Sequence, residues 1–273
     1  MVELLLAKGA DPNTKNSEGI SVLLAATKYG HSKIAEHLLA KGADPKPKDQ
    51  EGRTALMYAA KNNLLNLVTL LLKKGADLHA IDNYGEMALG HAASGGNMDI
   101  VKLMIAKGAN PKAKGNNGYT VLMNAANSGN VEVVKLLISL GVNPKDKNED
   151  GWTALMIAIE QGSPDVVKLL LEKGANPNDK NENGFTALMK AAHSGSLKKY
   201  KLLLEKGADP NVKDHEGQTA LMEAAQHGLL DVVALLLEKG ADPKAKNKEG
   251  KTALEIAREK DRSEVANYLE KLN

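Results

Sequence analysis

A glycine followed by alanine or valine recurs at Gly9, Gly42, Gly75, Gly108, Gly141, Gly174, Gly207 and Gly240. A second glycine comes ten residues after each, at Gly19, Gly52, Gly85, Gly118, Gly151, Gly184, Gly217 and Gly250. Both series hold a period of 33 with no insertion or deletion. Such a period means one small unit copied many times, each copy burying its apolar face against the next.

Each copy has the pattern turn, short helix, tight loop, longer helix, turn. In residues 181–214, Asn181-Glu182-Asn183-Gly184 is turn chemistry, with glycine free to take positive φ. Thr186 is placed to cap a helix that starts Ala187-Leu188-Met189 and ends at Gly195. A second helix runs through Leu202-Leu203-Leu204 to Lys206, and Gly207 sits where a left-handed residue is wanted. Elsewhere Ser163-Pro164-Asp165 opens a second helix with proline in its first turn.

The copy Gly217-Gln218-Thr219-Ala220-Leu221-Met222 through Ala224-Ala225 to Gly240-Ala241-Asp242-Pro243 resembles the ankyrin repeat, with its G-x-T-P-L-H-x-A-A and G-A-D signatures. Alanine replaces the usual proline. Met57, Met123, Met156, Met189 and Met222 replace the usual histidine, a variant that looks like bacterial ankyrins. The resemblance spans essentially the whole chain and implies an all-α solenoid of helix-turn-helix units joined by β-hairpin-like turns. The expected organisation is a half repeat over 1–15, seven interior repeats over 16–246 and a capping repeat over 247–273. Glu255, Arg258 and Glu270 stand in that last copy where interior copies carry Met, Ala and Leu, which keeps the end face soluble.

Composition agrees with a stack of short helices. Aromatic residues are only 3% of the chain, with one Trp and one Phe, so Leu, Ala, Val and Met must do the packing. A net charge of +2 gives no general pull toward nucleic acid or anionic membrane. There is no cysteine, which rules out disulfides, thiolate nucleophiles and Cys-bound metals. The longest apolar stretch, Leu64 to Leu72, is broken by Asn66 and Thr69 and is too short to cross a bilayer. A cytoplasmic, monomeric protein is the expectation.

Comparing copies separates scaffold from surface. In the first helix the Leu and the Ala-Ala pair barely change, while three positions vary at i, i+3 and i+4, one face of a helix. That face includes Tyr58/Lys61/Asn62, His91/Ser94/Gly95, Asn124/Asn127/Ser128, Ile157/Glu160/Gln161, Lys190/His193/Ser194 and Glu223/Gln226/His227. The residue after the turn glycine varies too, through Ile20, Arg53, Glu86, Tyr119, Trp152, Phe185, Gln218 and Lys251. The ankyrin resemblance implies that these positions line a concave surface that holds a protein partner.

Tyr119, Trp152 and Phe185 fall at equivalent sites in successive copies, with Tyr84 near the preceding turn. Copies stacked at about 10 Å would align them as an aromatic ladder about 30 Å long. Four rings each hiding on the order of 100 Å² give roughly 10 kcal/mol gross, against about 4–15 kcal/mol for association. Flanking contacts are therefore needed, and the expected partner-binding set is Tyr84, His91, Tyr119, Asn124, Asn127, Trp152, Ile157, Glu160, Phe185 and His193. Packing of the rings on their own turns is the alternative. Lys199 and Tyr200 replace the usual Val-Val of a second helix. A lysine stem there is expected to snorkel to the surface.

Some stretches resemble chemical motifs without their context. Residues 245–252 match a permissive phosphate-binding loop, but Ala245 replaces its first glycine and no strand-helix setting surrounds it. The turns at Asp146 and Asp179 begin like calcium loops, yet the twelfth positions are Ile157 and Lys190 instead of a bidentate Glu. The seven histidines show no metal-ligand spacing. No nucleophile, base and orienting group can be nominated, so no catalysis, cofactor, metal or nucleic acid is expected. A protein-interaction scaffold is the reading. An engineered or consensus-type ankyrin scaffold is the alternative, against which irregularities such as Lys199, Gly90 and Pro164 speak.

Overall fold

The computed structural model describes residues 2–161 and 163–272. Its regular elements are helices, with isolated antiparallel bridges such as Lys48 to Thr54 and Lys114 to Thr120 at the turns. Two compact units are present, Met1–Val142 and Asn143–Asn273.

In Met1–Val142 the short helices Val22–Lys28, Ala55–Lys61, Ala88–Gly95 and Val121–Ser128 pack in sequence order. Their partners Ser32–Ala40, Leu65–Lys73, Met98–Ala106 and Val131–Ser139 form a second layer, which Val2–Ala7 extends. Asn143–Asn273 repeats the plan. Its first helices are Ala154–Gln161, Ala187–Lys190 with a 3-10 turn over Ala191–Ser194, Ala220–Gln226 and Ala253–Glu259. Its second helices are Pro164–Glu172, Leu197–Glu205, Leu230–Glu238 and Ser263–Glu270.

Within Met1–Val142 the first helix Ala55–Lys61 is pressed between the first helices before and after it, so nearly all of it is buried. Ala55, Leu56, Met57, Ala59 and Ala60 are among its buried residues, and the small Ala-Ala pair lets neighbouring backbones approach. Threonine starts these helices as expected: Thr54, Thr120, Thr186 and Thr219 accept the amide three residues on. Met87, in the third full copy, makes no side-chain cap. In the last copy, Glu255 returns a carboxylate to the Thr252 amide at 2.6 Å, and exposed Arg258 pairs with exposed Glu270 at 2.6 Å.

An Asx turn precedes most first helices. Asp49 Oδ1 accepts the amides of Glu51 and Arg53 at 3.1 and 2.8 Å, and Asn181 Oδ1 accepts those of Asn183 and Phe185 at 3.1 and 2.9 Å. The turns then dock on one another. The Asn116 amide donates to the Tyr84 carbonyl at 2.8 Å, directly under Gly85, whose φ is 75°. A Cβ at Gly85 would sit 2.5 Å from the Asn116 nitrogen, so glycine is required twice over. The lysine before the Asx residue acts as a clamp. Lys147, Lys180 and Lys213 each donate through Nζ to the main-chain carbonyl 33 residues on, at 3.2, 2.8 and 2.8 Å.

The structure corrects one expectation. Lys199 does not snorkel; it is 2% exposed, and its ammonium donates to the Ile159 carbonyl in the preceding copy. The neighbouring Tyr200 is fully buried, and its hydroxyl has no hydrogen-bond partner among the described residues. Two large side chains thus fill a slot that holds paired valines in sibling copies. The first helix packed on them, expected to run unbroken to Gly195, instead keeps α geometry only over Ala187–Lys190 before tightening into the 3-10 turn.

Candidate functional site

In two successive copies the turn carboxylate reaches the first variable position of the short helix. Only one oxygen of Asp49 is spent on the turn, so Asp49 Oδ2 accepts the Tyr58 hydroxyl at 2.6 Å. Burial first, and then the Asp49 carboxylate, push the Tyr58 phenol above its ordinary range. In the next copy Asp82 Oδ2 meets His91 Nε2 at 3.0 Å. The copy after that has Gly115 at this place, and Asn124 reaches back instead to donate to Glu86 Oε1 at 2.9 Å. His91 and Asn124 are therefore drawn inward, at 6% and 9% exposure, and the apolar Ile157 is buried at 5%. The helical face singled out in the sequence is thus split: at its first position His91 and Asn124 answer a neighbouring carboxylate while Lys190 stays half-buried, and later positions such as Asn127, Glu160 and His193 face out.

The remaining residues of the expected set are accessible. In Met1–Val142, Tyr84 is 58% exposed, Asn127 is exposed and Tyr119 is half-buried. The Arg53 guanidinium lies 5.9 Å from the Tyr84 ring centre. In Asn143–Asn273, Trp152 and Phe185 are half-buried, while Glu160 and His193 are exposed. The structure brings Trp152 and Phe185 together around one cation. Lys190 Nζ lies 4.7 Å from the Trp152 ring centre and 4.9 Å from that of Phe185. The His193 ring in turn stands 5.2 Å from His227.

Beside this cluster lies a buried acid. Glu223 occupies the position of Tyr58 and His91 but faces the Asp214 carboxylate. Burial raises its pKa; Asp214 raises it further, while His193 and Lys190 oppose the rise. His227 moves the other way, lowered by burial first and then by His193 and Arg262.

Sequence comparison had marked Lys190 only as one variable residue among many. Its signal was the pair of aromatics at Trp152 and Phe185, each one step past a turn glycine, with a long cation between them in register. The clamp lysines could have been found more directly, since Lys recurs at 15, 48, 114, 147, 180, 213 and 246. The turns at Asn148 and Asn181 use their side-chain oxygens on the Trp152 and Phe185 amides, at 2.7 and 2.9 Å. A third cluster, Asp82, Glu86 and His91, has one ligand-type atom from each residue within 4.8 Å of the others. Its D-x3-E-x4-H spacing fits none of the metal motifs sought in the sequence.

Profiles of Ankyrin repeats (3 copies) match residues 1–82, 75–148 and 140–214, and a profile of Ankyrin repeats (many copies) matches 203–257. No curated protein matches the chain. Among the described residues, no helix is long and apolar enough to cross a membrane.

Proposed function

The chain belongs to the ankyrin-repeat family, whose repeats are protein-binding scaffolds and are typically non-catalytic, and we propose that it holds a protein partner on the turn and first-helix face of its repeats. The contact set in Asn143–Asn273 is Trp152, Phe185, Lys190, Glu160 and His193. In Met1–Val142 it is Tyr84, Tyr119 and Asn127. His91, Asn124 and Ile157 support these surfaces from beneath. A cytoplasmic setting goes with this role.

The observation that carries the proposal is the ammonium of Lys190 resting on Trp152 and Phe185. Two half-exposed rings with a cation at their centre combine an apolar anchor with a charge that an acidic or carbonyl-rich partner can meet. The rings cost little to immobilise, since the Lys190 ammonium already rests on both.

The test is affinity capture from lysate of the source cells, with wild type and Trp152→Ala compared, followed by affinity measurement on the captured partner. Trp152→Ala is expected to weaken binding at least about tenfold, the loss of one hot-spot anchor. Its helicity and melting should stay near wild type. An unchanged dissociation constant moves the site off this face.

A further inference from the structure

We propose that Asp82, Glu86 and His91 form a binding site for a divalent cation of the zinc, cobalt and nickel class, beneath the contact residues of Met1–Val142. Three departures from the repeat pattern coincide in this one copy. Glu86 is the only acid among the residues that follow the turn glycines, and His91 is the only histidine at its helical position. Gly90 stands where five sibling copies carry Met57, Met123, Met156, Met189 and Met222.

The donor atoms are already gathered. His91 Nε2 is 3.0 Å from Asp82 Oδ2 and 4.0 Å from Glu86 Oε2. Ligands about 2.0–2.2 Å from a tetrahedral zinc stand about 3–3.5 Å apart, so small side-chain movements complete the geometry. The other oxygen of each carboxylate is held in place. Asp82 Oδ1 accepts the amides of Tyr84 and Glu86, each at 2.9 Å, and Glu86 Oε1 accepts Asn124 Nδ2 at 2.9 Å. Outer bonds of this kind orient ligands in known metal sites.

Gly90 supplies room. A Cβ there would lie 3.3 Å from Asn124 Nδ2 and 4.0 Å from Glu86 Oε2. Two carboxylates and an imidazole suit borderline divalent ions, and three protein ligands leave a position open. The opposing charge is Arg53, whose Nε stands 3.8 Å from Asp82 Oδ2 and makes no hydrogen bond among the described residues. Its guanidinium partly offsets the carboxylates without occupying the ligand positions. The preceding copy shows the contrast: there Tyr58 closes on Asp49 and Arg53 replaces the acid, so the donor set is missing.

The experiment uses the full chain without an affinity tag, stripped with chelator and dialysed. Co2+ is titrated and followed by its visible absorption, then displaced with Zn2+, with heats measured in parallel. Wild type is expected to take one Co2+ with tetrahedral-type bands, and Zn2+ should raise its melting temperature. Glu86→Gln keeps the acceptor for Asn124, and His91→Asn installs the residue found at the equivalent place in the next copy. Each should lower affinity at least about tenfold while retaining wild-type helicity. Arg53→Ala should tighten binding. Absence of Co2+ uptake by wild type overturns the proposal. So does wild-type affinity in both ligand variants, which would assign the metal to other residues.

Discussion

Lys190 Nζ and the Trp152 ring are 4.7 Å apart, and Trp152 is the only tryptophan in the chain. The emission of the protein therefore reports directly on this contact.

Lys190→Met keeps the length and apolar bulk of the side chain and deletes its charge. The cation–π contact is worth about 0.5–1 kcal/mol where solvent reaches it, so melting should scarcely move. Trp152 fluorescence, in contrast, should change in wavelength or intensity, and partner affinity should fall. An emission spectrum identical to wild type would mean that the ammonium does not rest on the ring in solution.

Lys199→Met is expected to stabilise the protein. A buried ammonium with a single carbonyl acceptor is held at the expense of its hydration, and apolar replacements of buried charges often gain about 1–4 kcal/mol. Burial lowers the Lys199 pKa below its ordinary 10.5. The unfolded chain then binds the proton more tightly, so wild-type stability rises with pH from the folded pKa up toward 10.5. Urea midpoints across alkaline pH should show this rise in wild type and a flatter curve in Lys199→Met.

Glu223 has the opposite sign. Its pKa is raised from 4.5 by burial and Asp214, against His193 and Lys190, so the folded state holds the proton longer than the unfolded chain. Stability from this residue is fully present below about 4.5 and is lost as pH rises through the folded value. Glu223→Gln should remove that decline and leave the variant more stable than wild type at neutral pH. Parallel stability curves for the two proteins from pH 4 to pH 8 would count against a raised Glu223 pKa in the folded protein.

Two glycines with similar backbone separate strain from packing. Gly75 has φ 87° with nothing near its absent Cβ, whereas Gly85 has φ 75° with the Asn116 nitrogen 2.5 Å away. Gly75→Ala should cost about 1–2 kcal/mol, the left-handed penalty alone. Gly85→Ala should cost about 1–3 kcal/mol more, because the next turn must move. Equal urea midpoints for the two variants would refute the docking of that turn.

The periodic part of the fold is legible because each glycine, threonine cap and Asx turn is a local requirement repeated in every copy. What escaped the sequence depends on contacts between copies. The change to 3-10 geometry after Lys190 occurs in a helix packed on the one that carries Lys199 and Tyr200, and no local signal in Ala191-Ala192 announces it. His91 and Asn124 vary like surface residues yet are buried, because a neighbouring carboxylate, Asp82 or Glu86, draws each inward. Variation between copies marked where side chains are free to differ. It did not distinguish a residue facing a partner from one answering its own turn.

The main-chain bonds that join neighbouring turns also govern how such a chain can change length. The Asn83 amide meets the Glu51 carbonyl, and the Asn116 amide meets that of Tyr84. One residue added between these points would leave an amide facing the wrong carbonyl. Growth and loss are thereby quantised in steps of 33, while the outward side chains stay free to diversify.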